Sequence, residues 1–401
     1  MNLELTEEQL ALRDTLHAFL AKNVSVSGHL RPLLDDPRGT TDEVWQGLAR
    51  LGVTGLLVPE EFGGAGLPLA DTAVVLAELG AALYSGPWLS TAVAAPRALI
   101  RFGAGESAAA LFRGMADGSV IATVGPLDPA QPRPRVDTGS SGTPVLRGRL
   151  EAVPDACAAD VLLVFAEGPE GNNTEGNNTE GNNTEGISPA GIGTPGISTE
   201  GIGLYAVRTV DPAVTVRGRP TVDLTRRCFD VELAGAPGAL LATGALRDLE
   251  SVRDDVLAAR ATDAVGAARA VTGLVVEYAK SRQQFGRPIG SFQAVQHLCV
   301  DMFEIVELAY GGALYALWAA DSADDRSRTG AVLHAKAYSG CLASVGDRAI
   351  QVLGGIGYTS EHNAHLYLRR LLGWSAYLGG ADRYLEQVGE RLVAPYTAIT
   401  P

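Results

Sequence analysis

One uninterrupted helical stretch limits what this chain can fold into. Residues 249–282, LESVRDDVLAARATDAVGAARAVTGLVVEYAKSR, are Ala-rich and contain no proline. They predict a single helix of about 50 Å at the usual rise per residue. Such a helix buries its apolar face only by packing along other helices. Helical patterns recur around 291–321, 329–352 and 377–393 with short connections. Residues 238–401 therefore read as a C-terminal four-helix bundle.

The first 118 residues read as an N-terminal α-helical domain. Thr6 with Gln9 is spaced as a capping box, and Leu5 with Leu10 as a hydrophobic staple. Leu12, Leu16, Phe19 and Leu20 then share one face. Further helices are expected over 41–51 and 68–83, joined by the Gly- and Pro-rich LLVPEEFGGAGLPL. Between 119 and 237 the pattern changes to short β-branched runs, SVIATVG, ADVLLVFA, IGLYAVRTV, AVTVRG and CFDVEL. They predict a middle β domain of barrel or sandwich type. Within it, GNNTEGNNTEGNNTEG and the Gly-rich run after it have almost nothing to bury, so about 168–201 reads as a flexible loop. Gly191, Gly193 and Gly196 there match the dinucleotide fingerprint GxGxxG. No strand leads into them and no helix follows, so the match fails its own context.

Composition narrows the function classes. A length of 401 residues implies two or three structural units. Apolar residues reach 46% with only 6% aromatics, which favours helices packed closely through Ala and Gly. The net charge of −14 gives no general attraction for nucleic acid or anionic membranes, so an anionic ligand needs local cations. Cys157, Cys228, Cys299 and Cys341 have no CxxC spacing, which argues against a disulfide framework or zinc site and fits a reducing cytoplasm. The polar start MNLELTEEQL lacks a signal-peptide pattern, and no run of about 18 apolar residues suggests a membrane span.

The stretch YAKSRQQFGRPIGSFQAVQH, residues 278–297, ends the long helix with Arg282 and Phe285, breaks at Gly286 and Pro288, and restarts with Phe292, Gln293 and Gln296. A plain core helix needs none of this. One cation, an aromatic and several amides suit a ligand that is planar and anionic. Taken singly, Arg282 reads as a solvated helix-end cation and Gly354–Gly355 as an ordinary helix cap. With QVLGGIGYTSEHNAHLYLRR (351–370) and LLVPEEFGGAGL (56–67), and the α, β, α order, the chain resembles the acyl-CoA dehydrogenase family over nearly its whole length.

The resemblance implies FAD as cofactor, gripped at its ADP end largely across a subunit boundary. Arg282 is then the pyrophosphate partner, a charge-assisted and potentially bidentate pair. Phe285 and Phe292 supply packing surface, Gln293 and Gln351 amide hydrogen bonds, and Gly354 and Gly355 a close backbone approach. The reaction it implies is α,β-desaturation of an acyl-CoA thioester, which needs a carboxylate base within reach of the α-carbon. Leu378 occupies one family base position, in AYLGGADRYL, and Val256 the other. Asp255 is one residue off, about 100° around the helix. The family's flavin-ring segments are also missing, replaced by VGPLDPAQPRPRVDTGSSG and LEAVPDACAADVLLVF.

This pattern resembles the non-catalytic subunit of actinobacterial α2β2 enzymes of the steroid side-chain type. It implies a second acyl-CoA dehydrogenase-like subunit that holds most of the substrate, and an electron-accepting flavoprotein. Two other readings stand beside it. One is a self-sufficient flavoprotein with a relocated base or a non-redox dehydratase or cyclase reaction in secondary metabolism. The other is a scaffold that touches no cofactor. His362 and His365 read as surface histidines rather than the start of a metal site, and no GxSxG elbow supports hydrolysis. Arg226 and Arg227 read as solvated surface arginines.

Overall fold

The structure, a computed structural model, describes residues 5–139, 142–167 and 201–397. The segment expected as a loop over about 168–201, with Gly191, Gly193 and Gly196, lies outside the described residues except for Gly201. Five helices come first: α1 (Glu7–Asn23), α2 (Asp42–Arg50), α3 (Ala73–Ala81), α4 (Ala95–Arg101) and α5 (Ala109–Ala116). Seven strands follow: β1 (Ala122–Gly125), β2 (Arg135–Thr138), β3 (Pro144–Pro154), β4 (Val161–Glu167), β5 (Ile202–Arg208), β6 (Val214–Arg219) and β7 (Cys228–Gly244). Then come α6 (Leu246–Ser281), a hairpin of β8 (Gln283–Gln284) and β9 (Arg287–Pro288), and α7 (Gln293–Ser322). The chain closes with α8 (Asp325–Ala337), α9 (Ser339–Leu353), α10 (Ala364–Ala376) and α11 (Ala381–Thr397). Among the described residues no helix is long and apolar enough to cross a membrane.

Helix α1 starts with the expected capping box: the Gln9 N–H donates to Thr6 Oγ1, and the Thr6 N–H donates back to Gln9 Oε1. Helix α6 spans 36 residues and most of its length is buried. Its packing on α3 depends on two glycines. A Cβ on Gly80 would fall 1.9 Å from the Asp263 carbonyl oxygen, and one on Gly266 would fall 2.0 Å from that of Ala77. Any side chain at either position would force the two helices apart.

Two details of the C-terminal region differ from the sequence reading. The stretch expected as one helix over 329–352 is two, α8 and α9, separated at Tyr338. Helix α10 has no counterpart among the expected helices, because its residues follow directly on the glycine-containing segment and share its mixed composition. Its buried Leu366, Tyr367, Leu371 and Trp374 give it a core face of its own.

The strands run in the order β1-β4-β5-β7-β3-β2, with β6 also on β7. Among the described strands only β1 and β4 pair in parallel. Strand β7 is 17 residues long and continues to Gly244, past the expected limit at 237. Its first part pairs with β3 and β6, and its last part with β5. Gly235, at φ 93°, is the extra residue where the register shifts, a bulge that bends the strand. On β4, Leu162, Val164 and Ala166 enter the core of the β domain, while Leu163 and Phe165 join the helical core. Successive side chains point to opposite faces, so burial on both sides explains the unbroken apolar run VLLVFA.

Candidate functional site

The residues expected to grip a cofactor fall into two patches. The first surrounds the β8–β9 hairpin. Helix α6 ends at Ser281, and the Ile289 N–H donates to the Arg282 carbonyl oxygen at 2.8 Å. Phe285 sits at the hairpin tip with φ 53° and is 92% exposed. A bulky residue held left-handed and in water costs energy that its own chain does not return. The Phe292 ring meets Phe285 edge-on at 6.1 Å, and the Arg287 guanidinium lies 4.1 Å from the Phe292 ring centre. Gln293 opens α7. The side chains of Arg282 and Gln293 are exposed and make no hydrogen bond or ion pair among the described residues.

The second patch is the end of α9. Gln351 is exposed and its amide also makes no hydrogen bond among the described residues. Gly354 ends the helix at φ 63°, and a Cβ on Gly354 or Gly355 would meet nothing within 4 Å. The donor set of a guanidinium, two amides and an exposed aromatic fits the ADP end of FAD. All of these groups face away from the chain that carries them.

The segment expected to stand in place of the family's flavin-ring motif lines a cavity of about 230 Å³ together with the loop around Leu378, its walls including Val124, Gly125, Pro126, Leu127, Tyr377, Leu378 and Gly379. Its polar side chains include Asp128, Gln131 and Glu151. Asp128 accepts from the Ala130 N–H and Glu151 from Arg219. Leu378, at φ 53°, is held by the Tyr384 hydroxyl, which donates to its carbonyl oxygen at 2.9 Å. Val256 is 1% exposed in the core. Asp255 is fully buried, accepting from Arg97 at 2.8 Å and Arg101 at 3.0 Å. Its carboxylate is occupied by these two arginines.

Arg226 and Arg227 overturn the sequence reading. Neither is a solvated surface cation. Arg226 donates to Asp263 at 2.6 Å, and Arg370 donates to the other oxygen of Asp263 at 3.1 Å. Burial pulls Arg226 down, but Asp263, Asp155 and Asp223 outweigh it and hold the guanidinium above its ordinary value. Burial and the neighbouring Arg226 charge push Arg370 below its ordinary value. Arg227 donates to the backbone carbonyls of Leu33, Asp36 and Ser85. The cluster ties the β domain to both helical regions. Its partners lie scattered along the chain, so sequence spacing carries no sign of it. His362 uses Nδ1 to accept the Ala364 N–H at 3.1 Å, at the start of α10.

Lys336 is fully buried. Its Nζ donates to the carbonyl oxygens of Trp374 and Ser375 at 2.5 and 3.0 Å, at the C-terminal end of α10, and sits 4.2 Å from the Trp374 ring centre. Burial, reinforced by the Arg260 charge, lowers its pKa to about 7. A lysine depressed in the folded state but near its ordinary value of about 10.4 when unfolded penalises folding most at low pH. That penalty is relieved as pH rises from about 7 toward 10, because the unfolded chain then binds more protons. Wild type is expected to gain stability over Lys336→Met across this window, by up to about 1.4 kcal/mol per pH unit. Urea titrations of both proteins at about pH 7 and about pH 9 check this.

Comparison with known proteins agrees with the fold and the motifs. "Acyl-CoA dehydrogenase, N-terminal domain" matches residues 6–119 and "Acyl-CoA dehydrogenase, C-terminal domain" matches 258–393. Acyl-CoA dehydrogenase IpdE2 of Mycolicibacterium smegmatis is 31% identical over 385 residues, covering 96% of this chain and 98% of its own. Acyl-CoA dehydrogenase FadE34 of Mycobacterium tuberculosis is 32% identical, over 96% of this chain but 48% of its own. The chain thus spans about half of that relative. Among solved structures, a variant of the Tcur3481-Tcur3483 steroid ACAD superposes with a TM-score of 0.80 at 27% identity, over 98% of this chain and 99% of that one. The ChsE4-ChsE5 complex from Mycobacterium tuberculosis gives 0.81 at 25% identity, covering both chains fully. A glutaryl-CoA dehydrogenase from Mycobacterium smegmatis, solved in complex with FADH2, shares the fold at 0.79 and 18% identity, over 97% of this chain and 95% of that one. With the α, β, α architecture and both motif segments in place, the chain belongs to the acyl-CoA dehydrogenase family.

Proposed function

We propose that this chain is the non-catalytic subunit of a heteromeric, FAD-dependent acyl-CoA dehydrogenase. In this reading it completes the ADP site of a flavin whose ring and substrate lie in a partner subunit. One observation carries the reading: Arg282, Phe285, Gln293 and Gln351 face solvent, the three polar ones without partners among the described residues, while both base positions hold aliphatic side chains. Arg282 pairs with pyrophosphate, Phe285 and Phe292 pack against the nucleotide, and the amides and Gly354–Gly355 complete the cradle. A bound flavin would supply the acceptor for hydride from the acyl β-carbon, Arg282 and its neighbours would hold its ADP end, and the base for the α-proton would come from the partner.

Two further observations support a partner. FadE34 carries the matching region in 48% of its length, which leaves room for a second unit of similar size in one polypeptide. Helix α7 also exposes Val300, Phe303 and Leu308 at 61, 61 and 58%. On the same helix, Cβ atoms on Gly311 and Gly312 would meet nothing within 4 Å. Each interior glycine costs about 1 kcal/mol relative to alanine, and an added methyl group at either would meet no neighbour among the described residues. The steroid ACAD named in one related structure favours steroid side-chain CoA thioesters as the substrate class. The chemistry requires an electron acceptor, and an electron-transferring flavoprotein is the one this reading assigns.

The test is flavin content. Purified alone, the chain is expected to be colourless, because a flavin held only at its ADP end loses most of its contacts. Co-purified with its partner, it is expected to carry half as many flavins as subunits. Stoichiometric flavin in a homo-oligomer of this chain would replace this reading with the self-sufficient enzyme.

A further inference from the structure

We propose that Arg287 is a positioning residue for the ADP end of the flavin: its guanidinium, laid on the Phe292 ring, holds the exposed Phe285 ring where a nucleotide can meet it. The inference rests on the half-site reading and adds to it a residue which that reading leaves without a part. The hairpin shows why such a hold is needed. Gln284 pairs with Arg287, so Phe285 and Gly286 are the two residues of the turn. Both have positive φ, 53° and 77°. Two-residue turns of this kind favour Asn-Gly or Asp-Gly, because a bulky side chain is strained there. Phe285 is also 92% exposed, so neither its backbone nor a core fixes its ring.

The hold comes from the chain just after the hairpin. Phe292 immediately precedes α7, and its carbonyl oxygen accepts from the N–H groups of Val295 and Gln296. Its backbone is thereby anchored to a helix of 30 residues. Phe285 meets this anchored ring edge-on, and the Arg287 guanidinium lies over its face. Arg287 has its own anchor in the pairing of β9 with β8. Its side chain is exposed and makes no hydrogen bond or ion pair among the described residues, so the Phe292 ring is its partner there. A guanidinium stacked by its face keeps its N–H edge free. The hold therefore needs no buried counter-ion.

Titration of the flavin-stripped, co-purified complex with FAD tests this. An exposed cation–π contact is weak, so Arg287→Met is expected to lower FAD affinity by roughly two- to fivefold. Arg287→Lys, which keeps a cation over the ring, is expected to recover most of the loss. Adenosine and ADP, used as competitors, are expected to lose affinity by the same factor in Arg287→Met. In the lone chain carrying 4-fluorophenylalanine at position 285, the fluorine resonance is expected to shift in the Met variant and to return in the Lys variant. Both variants should fold, because no hydrogen bond or ion pair among the described residues uses this side chain. Unchanged FAD affinity in Arg287→Met, a Lys variant as weak as the Met variant, or an unmoved fluorine resonance would each overturn the positioning role. So would a loss confined to ADP, which would make Arg287 a direct phosphate partner instead. Arg282→Ala in the same titration separates the two proposals. Unchanged affinity there overturns the half-site reading, whereas a loss there with none in Arg287→Met overturns only the positioning role.

Discussion

Arg282→Ala is expected to weaken flavin retention in the assembled complex by about ten- to a hundredfold. The guanidinium is exposed, unpaired among the described residues and placed where α6 gives way to the hairpin. A charge-assisted hydrogen bond to a phosphate contributes roughly 1.5–3 kcal/mol, and each 1.4 kcal/mol or so is about tenfold in affinity. Folding should be little changed, because no hydrogen bond or ion pair among the described residues uses this side chain. The companion variant Leu378→Glu is expected to leave the lone chain inactive. A carboxylate at 378 would face a cavity of about 230 Å³ walled by Tyr377 and Pro126, with none of the family's flavin-ring contacts. Both variants are read with a dye as electron acceptor, in the complex and in the lone chain. Intact flavin and turnover after Arg282→Ala would show that this patch does not grip a partner's cofactor. Acyl-CoA oxidation by the Leu378→Glu chain alone would show a complete site within it.

Asp263→Ala is expected to be among the most destabilising single changes in the molecule, costing about 3–5 kcal/mol. Asp263 accepts from Arg226 and Arg370 through separate oxygens, so its removal takes the nearest carboxylate from two buried guanidinium groups and leaves Arg370 with the Tyr84 carbonyl and with Asp223 at 3.6 Å. The cost comes from those under-compensated charges more than from the lost attraction. Arg370→Met added to Asp263→Leu should therefore be less destabilising than Asp263→Ala alone, since one stranded charge goes with its partner. Denaturant midpoints of wild type and both variants check this, and equal losses in the single and double variants would show that the Arg370 charge is not the source of the cost. The cluster joins the β domain to both helical regions, so its loss is expected to broaden the unfolding transition as well as shift it.

Much of this is legible along the chain. The capping box at Thr6, the length of α6, the strands VLLVFA and IGLYAVR, and the Arg282–Phe285 segment all depend on local periodicity or spacing. Each is set by residues within a few turns of one another, and local sequence determines such features because the hydrogen bonds and faces involved are themselves local. The aliphatic residues at Leu378 and Val256 are equally legible once the flanking motifs fix their positions. Tertiary structure decided the rest. Arg226 and Arg227 look like any arginine pair before a strand. Only the approach of α6 and α10 from 37 and 144 residues away turns Arg226 and its neighbour Arg370 into a buried cluster around Asp263. Helix α10 and the break at Tyr338 are hidden as well, because a helix and a turn here share the same mixed composition. The stack of Arg260 on Tyr377 likewise depends on a ring on one segment meeting a cation more than 100 residues earlier, on another. Desolvation and long-range charge pairing act between elements that only the packed fold brings together, so no reading of spacing along one chain reaches them.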